Sequence, residues 1–231
     1  MKAFLLAAGY GTRLRPLTDT VPKCLVPICE KPLLSHWFDL LLRHGVSDVY
    51  VNTHYLREKV SDFIAKYNSE NTGLTAHEMY ETTLLGSGGT VLSGRKFVGD
   101  EDFLICYADN LTNIDLTDLC RRHKESGCVL TAALFRAENP KACGIATLED
   151  GIITEFIEKP ENPKSDLANG GIYVTGMEIF DYMPEKDVID FGKDVLPLLC
   201  GKMAGVEINC YMKDIGTPEN YKKAQEEWKD L

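Results

Sequence analysis

The chain has 231 residues, of which 44% are hydrophobic and 26% are charged, an ordinary composition for a globular protein. Its formal net charge is -10, and because an acidic surface repels nucleic acid and anionic membranes, we expect neither as a partner. No stretch approaches the ~18 apolar residues of a membrane helix, and the eight cysteines form no C-x-x-C pair, so a reduced, cytoplasmic protein is expected.

Strands and helices alternate along the first part of the chain. Apolar runs predict strands over 3–8, 49–53, 74–79, 103–107 and 129–135. Residues at helical spacing predict helices over 33–44, 58–67, 86–97 and 116–125. This alternation predicts an α/β fold with a mostly parallel sheet and helices on both of its faces.

The later part of the chain is richer in strands. We predict strands over 144–148, 152–157, 170–174 and 206–211, with a hairpin turn at Glu149-Asp150-Gly151. Helices are predicted near 176–182, over 189–200 and over 218–228. The whole chain, 1–231, is therefore predicted to be one Rossmann-like domain with a mixed sheet. A nucleotide-type half extends to about residue 135, and a β-rich half from about 136 adds strands to the same sheet.

A glycine loop, LAAGYGTRLRPLT, follows the first predicted strand. Ligands of open α/β sheets bind beyond the carboxyl ends of strands, and Gly9 and Gly11 can let backbone amides face phosphate oxygens. Arg13 offers a planar fork of phosphate donors. Leu14 breaks the dinucleotide fingerprint G-x-G-x-x-G/A, and no P-loop is present. The loop alone therefore predicts a phosphate site, and a simple two-glycine turn is the alternative.

A second motif begins shortly after this loop. Residues 11–16 read GTRLRP and residues 22–27 read PKCLVP. The pair resembles the signature of the sugar-phosphate nucleotidylyltransferases, G-T-R-[LM]-x-P followed by P-K-x-[LM]-x-P, and the resemblance extends over nearly the whole chain. It implies the nucleotide-diphospho-sugar transferase fold. It also implies that Arg13 and Lys23 are catalytic residues that bind the triphosphate.

The same resemblance assigns two metal ligands. Asp109 ends the run FLICYAD, and Asp214 lies in KDIGTPENY, which matches the family pattern D-[IV]-G-x-P. By this resemblance both aspartates bind the cofactor Mg²⁺, which bridges phosphate oxygens in such chemistry. Asn110 departs from many members of the family. Each aspartate taken alone is more typical of a helix cap or a turn.

A third group of motifs points to a sugar phosphate. In FIEKPENP, the resemblance implies that Glu158 holds sugar hydroxyls and that Lys159 is a catalytic residue binding the sugar phosphate. Asn169 and Gly170, in LANGGIYV, resemble the segment beside the sugar, and Gly144 corresponds to a glycine whose backbone contacts a hydroxyl. The second half is therefore expected to bind the sugar phosphate. A bulge is the alternative for the two glycines before the strand.

The segment LLGSGGT resembles the family's loop over the nucleoside, whose glycines let the main chain read the base. Glu81 stands where a base-reading side chain is expected. A carboxylate only accepts hydrogen bonds, and guanine offers adjacent donors at N1 and N2, so Glu81 favours GTP, although ribose or solvent are alternative partners. The resemblance implies these nucleotide-binding residues: Leu6, Ala8, Gly9, Gly11, Thr12, Glu81, Gly86, Ser87 and Gly88.

These observations predict transfer of a nucleotidyl group from a nucleoside triphosphate to a sugar 1-phosphate by Mg²⁺-assisted in-line displacement. The LGTGG-like pattern is closest to mannose and heptose 1-phosphate guanylyltransferases. The alternatives are a UTP- or dTTP-dependent enzyme, a cytidylyltransferase for a small phospho-alcohol, and a non-catalytic nucleotide-sugar sensor. The identity of the sugar is not predicted, and a homo-oligomer is left open.

Overall fold

The computed structural model describes residues 1–71 and 73–230, and the chain forms two compact units that are interleaved in sequence. The first unit comprises Met1–Leu84, Cys106–Ile114 and the segment from Cys210 onward. The second unit comprises Leu85–Ile105 and Asp115–Asn209. Both units contain residues from either side of position 135, and the division into a nucleotide-type half and a β-rich half stays a prediction.

The secondary structure follows the predicted alternation. The strands are, in chain order, Lys2–Leu6 (β1), Pro27–Ile28 (β2), Lys31–Pro32 (β3), Asp48–Thr53 (β4), Thr75–Tyr80 (β5), Phe103–Tyr107 (β6), Asn110–Thr112 (β7), Leu130–Arg136 (β8), Gly144–Glu149 (β9), Ile152–Glu158 (β10), Leu167–Thr175 (β11), Met203–Glu207 (β12) and Met212–Asp214 (β13). The α-helices are Leu33–Arg43 (α1), Arg57–Glu70 (α2), Gly86–Ser93 (α3), Arg95–Val98 (α4), Leu116–Ser126 (α5) and Pro218–Glu227 (α6). Within the described residues, no helix is long and apolar enough to cross a membrane.

The first unit is built on parallel strands. Strand β1 pairs with β4, and β4 pairs with β5, both in parallel. The side chains of Phe4, Leu5 and Val51 are buried, as the continuous apolar runs predict. Helix α1 buries one face through Trp37 and Phe38. Because the strands are parallel, β1, β4 and β5 end at one edge, where a ligand site of an α/β sheet is expected.

The second unit contains a mixed sheet with the strand order β11-β8-β12-β10-β9, in which β9 also pairs with β11. Strand β12 runs parallel to β8, whereas the other described pairs are antiparallel. The predicted hairpin between β9 and β10 is present, with Asp150 at φ 48° and Gly151 at φ 81°. The predicted α/β fold with a mixed sheet is therefore confirmed, with parallel pairing concentrated in the first unit.

The predicted helix near 176–182 is a 3₁₀ helix, Met177–Tyr182, and two other predicted elements differ more from the structure. The predicted helix over 189–200 consists of a π-helical turn, Phe191–Val195, and a 3₁₀ turn, Leu196–Leu199. Pro197 lacks the amide that would continue a regular helix. The predicted strand over 206–211 is replaced by β12 and β13, because Met203 and Ala204 are buried in register with β8 and thereby shift the strand toward the N-terminus.

Candidate active site

The residues predicted to bind substrates and metal divide between the two units. The first unit holds Leu6, Ala8, Gly9, Gly11, Thr12, Arg13, Lys23, Glu81, Asp109 and Asp214. The second unit holds Gly86, Ser87, Gly88, Gly144, Glu158, Lys159, Asn169 and Gly170.

A charged cluster in the first unit joins three of the predicted residues. The Nζ atom of Lys23 donates to Oδ2 of Asp109 at 2.7 Å and to Oδ1 of Asp214 at 3.0 Å. The lysine side chain is only 10% exposed, whereas both aspartates are partly exposed. Burial by itself would lower the pKa of Lys23, but the charges and hydrogen bonds of the two aspartates outweigh it and raise that pKa. Lys23 therefore carries its positive charge at neutral pH.

Local structure holds these side chains in place. Lys23 begins a 3₁₀ turn directly after Pro22, and Asp214 ends β13, which pairs with β7 next to Asp109. The amide of Ile215 donates to the carbonyl of Asp109 at 3.1 Å. The amide of Gly216 donates to Oδ1 of Asp214 at 2.7 Å. The two aspartates, more than a hundred residues apart in sequence, are thus fixed beside one another by backbone contacts.

Arg13 adds a second cation to this cluster. Its Nη2 atom lies 3.4 Å from Oδ2 of Asp214, and 67% of its side chain is exposed. An exposed pair at this distance is weak, so the guanidinium remains available to an anionic ligand. The structure therefore places Arg13, Lys23, Asp109 and Asp214 together, which is the arrangement that the motifs predicted.

The glycine loop turns sharply at Gly11, whose φ is 64°. Its carbonyl accepts from Oγ1 of Thr18 at 2.8 Å, and a Cβ at this position would lie 3.0 Å from Cγ2 of Thr18. Thr12 begins a 3₁₀ turn, so no regular helix follows the loop directly. Gly9, in contrast, does not adopt a positive φ, and a Cβ there would meet nothing within 4 Å. Of the two glycines, only Gly11 uses the left-handed conformation.

Asn52 is a residue that sequence reasoning missed. Its Oδ1 accepts from the amides of Ala7 at 2.5 Å and Ala8 at 3.2 Å, and its Nδ2 donates to Oε1 of Glu81 at 2.8 Å. Glu81 is therefore not an exposed loop side chain; it is 3% exposed. The carbonyl of Leu6, just before the loop, accepts from the amide of Ala108 at 3.1 Å. A polar residue at the carboxyl end of an apolar strand was the available signal for Asn52.

The predicted nucleoside loop of the second unit packs tightly against Ile189. The amides of Gly88 and Gly89 donate to the Ile189 carbonyl at 2.8 and 3.3 Å. Ser87 Oγ accepts from the amide of Phe191 at 2.8 Å. A Cβ on Gly86 or Gly88 would lie 2.4 or 2.6 Å from atoms of Ile189. Close packing against Ile189 thus explains why these positions are glycine, and their contact with a nucleotide stays a prediction.

The predicted sugar-phosphate residues meet at one end of the second unit's strands. Glu158 in β10 pairs with Gly144 in β9, and β9 contacts β11 one residue before Asn169. A Cβ on Gly144 would lie 2.6 Å from Oε2 of Glu158. Lys159, with φ 50°, places its exposed Nζ 3.5 Å from Oε1 of Glu158. A carboxylate that can accept from hydroxyls and an exposed ammonium are therefore adjacent.

Asn169 is oriented by a buried tyrosine. Its Nδ2 donates to the hydroxyl oxygen of Tyr173 at 2.6 Å, and its Oδ1 accepts from the amide of Gly171 at 3.1 Å. Tyr173 is fully buried. The register of β11 against β8 shifts between Asn169 and Tyr173, and Gly170 lies within this irregularity. A bulge was the alternative prediction for this segment.

Tyr173→Phe is expected to raise the KM for the predicted sugar 1-phosphate while leaving the KM for the predicted nucleotide unchanged. The variant removes one of the two hydrogen bonds that orient Asn169, and a hydrogen bond of this kind is worth about 1 kcal/mol, or roughly fivefold in KM. Steady-state kinetics with each substrate varied in turn measure the two effects. Equal changes in both KM values would indicate general loosening of the fold instead.

The aspartates suit a divalent cation. Their oxygens already converge on one ammonium group, at 2.7 and 3.0 Å. Within the part of the chain that the structure describes, no group of three or more His, Cys, Asp or Glu side chains could hold a metal. Mg²⁺ is commonly bound by one or two carboxylates together with substrate phosphates and water. Asp109 and Asp214 supply the carboxylates that such a site needs.

Comparison with known proteins gives consistent matches along the chain. A family model described as nucleotidyl transferase matches residues 2–230. The mannose-1-phosphate guanyltransferase beta-B of Xenopus laevis is 30% identical over 227 residues, which cover 96% of this chain and 62% of that protein. The UTP–glucose-1-phosphate uridylyltransferase of Synechocystis is 31% identical over 243 residues, covering 97% of this chain and 62% of the relative. The chain thus spans less than two thirds of the length of these relatives.

Solved structures agree on the fold. A crystal structure of UDP-glucose pyrophosphorylase complexed with UDP-glucose superposes with a TM-score of 0.83 at 24% identity, covering 99% of this chain and 98% of that one. Identity this low supports the shared fold alone. The family model, in contrast, covers almost every residue and includes both the glycine loop and the Lys23–Asp109–Asp214 cluster. The chain belongs to the nucleotidyl transferase family.

Proposed function

We propose that this protein transfers a nucleotidyl group from a nucleoside triphosphate to a sugar 1-phosphate, giving a nucleotide sugar and pyrophosphate. The observation that carries the proposal is the Lys23 ammonium bridging Asp109 and Asp214, with the exposed Arg13 guanidinium beside them. Two cations and two convergent carboxylates suit a polyphosphate bound with a divalent metal.

The proposed reaction is a single in-line displacement. A phosphate oxygen of the sugar 1-phosphate attacks the α-phosphorus and forms a new P–O bond. The bond from the α-phosphorus to the bridging oxygen breaks, and its electron pair leaves with pyrophosphate. Such a reaction depends on positioning and charge stabilisation, so no side-chain nucleophile is required.

Each charged residue has a role in this proposal. Lys23 and Arg13 bind the triphosphate and stabilise the charge that develops on the transferred and leaving groups. Asp109 and Asp214 hold Mg²⁺, which when bound draws negative charge from the phosphate oxygens. In the second unit, the exposed Lys159 binds the phosphate of the sugar, and Glu158 accepts from its hydroxyls.

GTP is the proposed nucleotide. Glu81 is buried beside the glycine loop and offers only acceptors, which suit the N1 and N2 donors of guanine. Relatives named both as guanyltransferases and as a uridylyltransferase match the chain at similar identity, so the proposal of GTP rests on the Glu81 side chain.

All eight cysteines are free thiols, and the cytoplasmic location expected from them stays a prediction.

A substrate panel tests the function and the base together. GTP, UTP, dTTP and CTP are each combined with mannose 1-phosphate, glucose 1-phosphate and phosphocholine, and pyrophosphate release is measured. We expect the highest kcat/KM with GTP and a sugar 1-phosphate. Glu81→Gln should lower the GTP-to-UTP ratio about tenfold, because a hydrogen bond to a charged group is worth about 1.5–3 kcal/mol.

Three outcomes would each contradict a different part of this proposal. A higher rate with UTP or dTTP in the wild-type protein would overturn the base assignment but keep the reaction. No pyrophosphate release with any pair, despite nucleotide binding, would favour a sensor over an enzyme. Preferred use of CTP with phosphocholine would replace the sugar substrate by a phospho-alcohol.

A further inference from the structure

Asn52 links the glycine loop to the candidate base-reading carboxylate. Asn52 is only 6% exposed and lies near the carboxyl end of β4, the strand between β1 and β5. One end of its amide accepts from two consecutive loop amides, those of Ala7 and Ala8. The other end donates to Glu81, the first residue after β5. A single side chain thus contacts the segments that follow both neighbouring strands.

The contacts define the direction of the Asn52 amide. Because backbone amides can only donate, the atom that faces Ala7 and Ala8 must be the oxygen, and the NH₂ group must therefore face Glu81. The carboxylate of Glu81 can accept that bond but cannot replace it with a donor. The main chain at Glu81 is also held, because its carbonyl accepts from Nδ1 of His54 at 2.8 Å.

We infer that Asn52 is a positioning residue for the nucleotide, setting the backbone of the glycine loop and the carboxylate of Glu81 as one unit. A buried amide that bonds on both ends keeps a single orientation, since any rotation would leave buried polar groups unpaired. The orientation of Glu81 therefore depends on the loop, and that of the loop depends on Glu81. This inference rests on the proposed function only in assigning the loop to a nucleotide.

Asn52→Asp tests the polarity of this link with almost no change in shape. An aspartate still accepts from Ala7 and Ala8, but its second oxygen faces the carboxylate of Glu81, where two acceptors repel. Adding Glu81→Gln supplies a donor on the opposite side and restores a complementary pair. Glu81→Gln alone keeps the bond to Asn52, because the glutamine oxygen can accept it. The wild-type protein, the two single variants and the double variant form a double-mutant cycle.

A matched control is available in the same unit. Asn68 also bonds at both ends of its amide, accepting from the amide of Ala76 at 3.0 Å and donating to its carbonyl at 2.8 Å. Asn68→Asp likewise replaces the NH₂ donor by an acceptor oxygen, but the hydrogen bonds of Asn68 go to Ala76 and not to the glycine loop or Glu81. It measures how much a general loss of stability affects nucleotide binding.

Calorimetric titration with GTP and Mg²⁺, without the sugar phosphate, gives the affinities. We expect Asn52→Asp to bind GTP about tenfold more weakly than wild type, the effect of one lost charged hydrogen bond. The double variant should bind like Glu81→Gln alone, and Asn68→Asp should remain within about twofold of wild type. Equal losses in Asn52→Asp and Asn68→Asp, or a double variant in which the losses of the two single variants add, would overturn the inference.

Hydrogen exchange provides a second measurement if Asn52→Asp does not fold. Glu81→Ala leaves the loop and Asn52 intact but frees the NH₂ end of the amide. The amides of Ala7 and Ala8 should then exchange about tenfold faster, whereas unchanged exchange would contradict the link.

Pyrophosphate release is assayed in parallel. Wild-type protein that binds GTP without turnover would defeat the proposed reaction, while the binding cycle would still decide the role of Asn52.

Discussion

Lys23→Ala is expected to lower kcat/KM by about 10³-fold, because preorganised charge at a site of phosphoryl chemistry typically contributes 10²- to 10³-fold per donor. Lys23 also neutralises two carboxylates, and without it Asp109 and Asp214 face each other without their shared cation. Both the charge on the phosphates and the geometry of the aspartates are thus affected. Initial rates of pyrophosphate release measure the loss.

Lys66→Ala serves as the control for this variant. Its ammonium lies in the same unit, is well exposed and forms only a 3.9 Å pair with Glu70, so its removal should leave kcat/KM unchanged. Turnover of Lys23→Ala near that of Lys66→Ala would show that the cluster does not carry the reaction. A circular dichroism melt of both variants identifies any loss due to unfolding.

Gly216→Ala is expected to reduce kcat/KM by roughly 10- to 100-fold, with little change in melting temperature. A Cβ at this position would lie 2.8 Å from Oδ1 of Asp214, 2.8 Å from Nζ of Lys23 and 2.9 Å from Nη2 of Arg13. All three atoms are at the ends of side chains, so they can move without disrupting the core. The methyl group therefore displaces the charged cluster while the fold is retained.

Gly176→Ala is the matched substitution for this experiment. Its Cβ would lie 3.2 Å from Oδ1 of Asp102, again the end of an acidic side chain, and its φ is not positive. We expect unchanged kinetics in that variant. If Gly216→Ala retained full activity at a normal melting temperature, the position of the three charged groups would not matter for turnover. A large drop in its melting temperature would show that the glycine is needed for folding instead.

Local patterns predicted much of the fold. The buried run over residues 103–107 and the hairpin at residues 149–151 are present where the sequence placed them. In both cases the signal is carried by neighbouring residues, an apolar run or a turn that needs positive φ. The predicted helix over 189–200 is divided into a π-helical turn and a 3₁₀ turn, although Pro197 was visible in the sequence as a helix breaker.

The candidate site was predicted where short motifs define it and missed where distant segments meet. Lys23, Asp109 and Asp214 each lie in a recognisable motif, and the structure brings them within hydrogen-bond distance. The role of Asn52 depends on the register of β4 with its neighbours, which no short motif encodes. The same applies to Gly88, whose packing partner, Ile189, lies a hundred residues later.

Phosphorus NMR of a single reaction follows the proposed transfer of the nucleotidyl group through all four reactants and products. Wild-type protein is incubated with GTP, mannose 1-phosphate, Mg²⁺ and no pyrophosphatase. We predict equal growth of signals from pyrophosphate and from a sugar-linked diphosphate, with loss of GTP and sugar phosphate in the same proportion. Release of orthophosphate without a sugar-linked product, or no reaction after the glucose 1-phosphate and UTP combinations are also tried, would contradict the account.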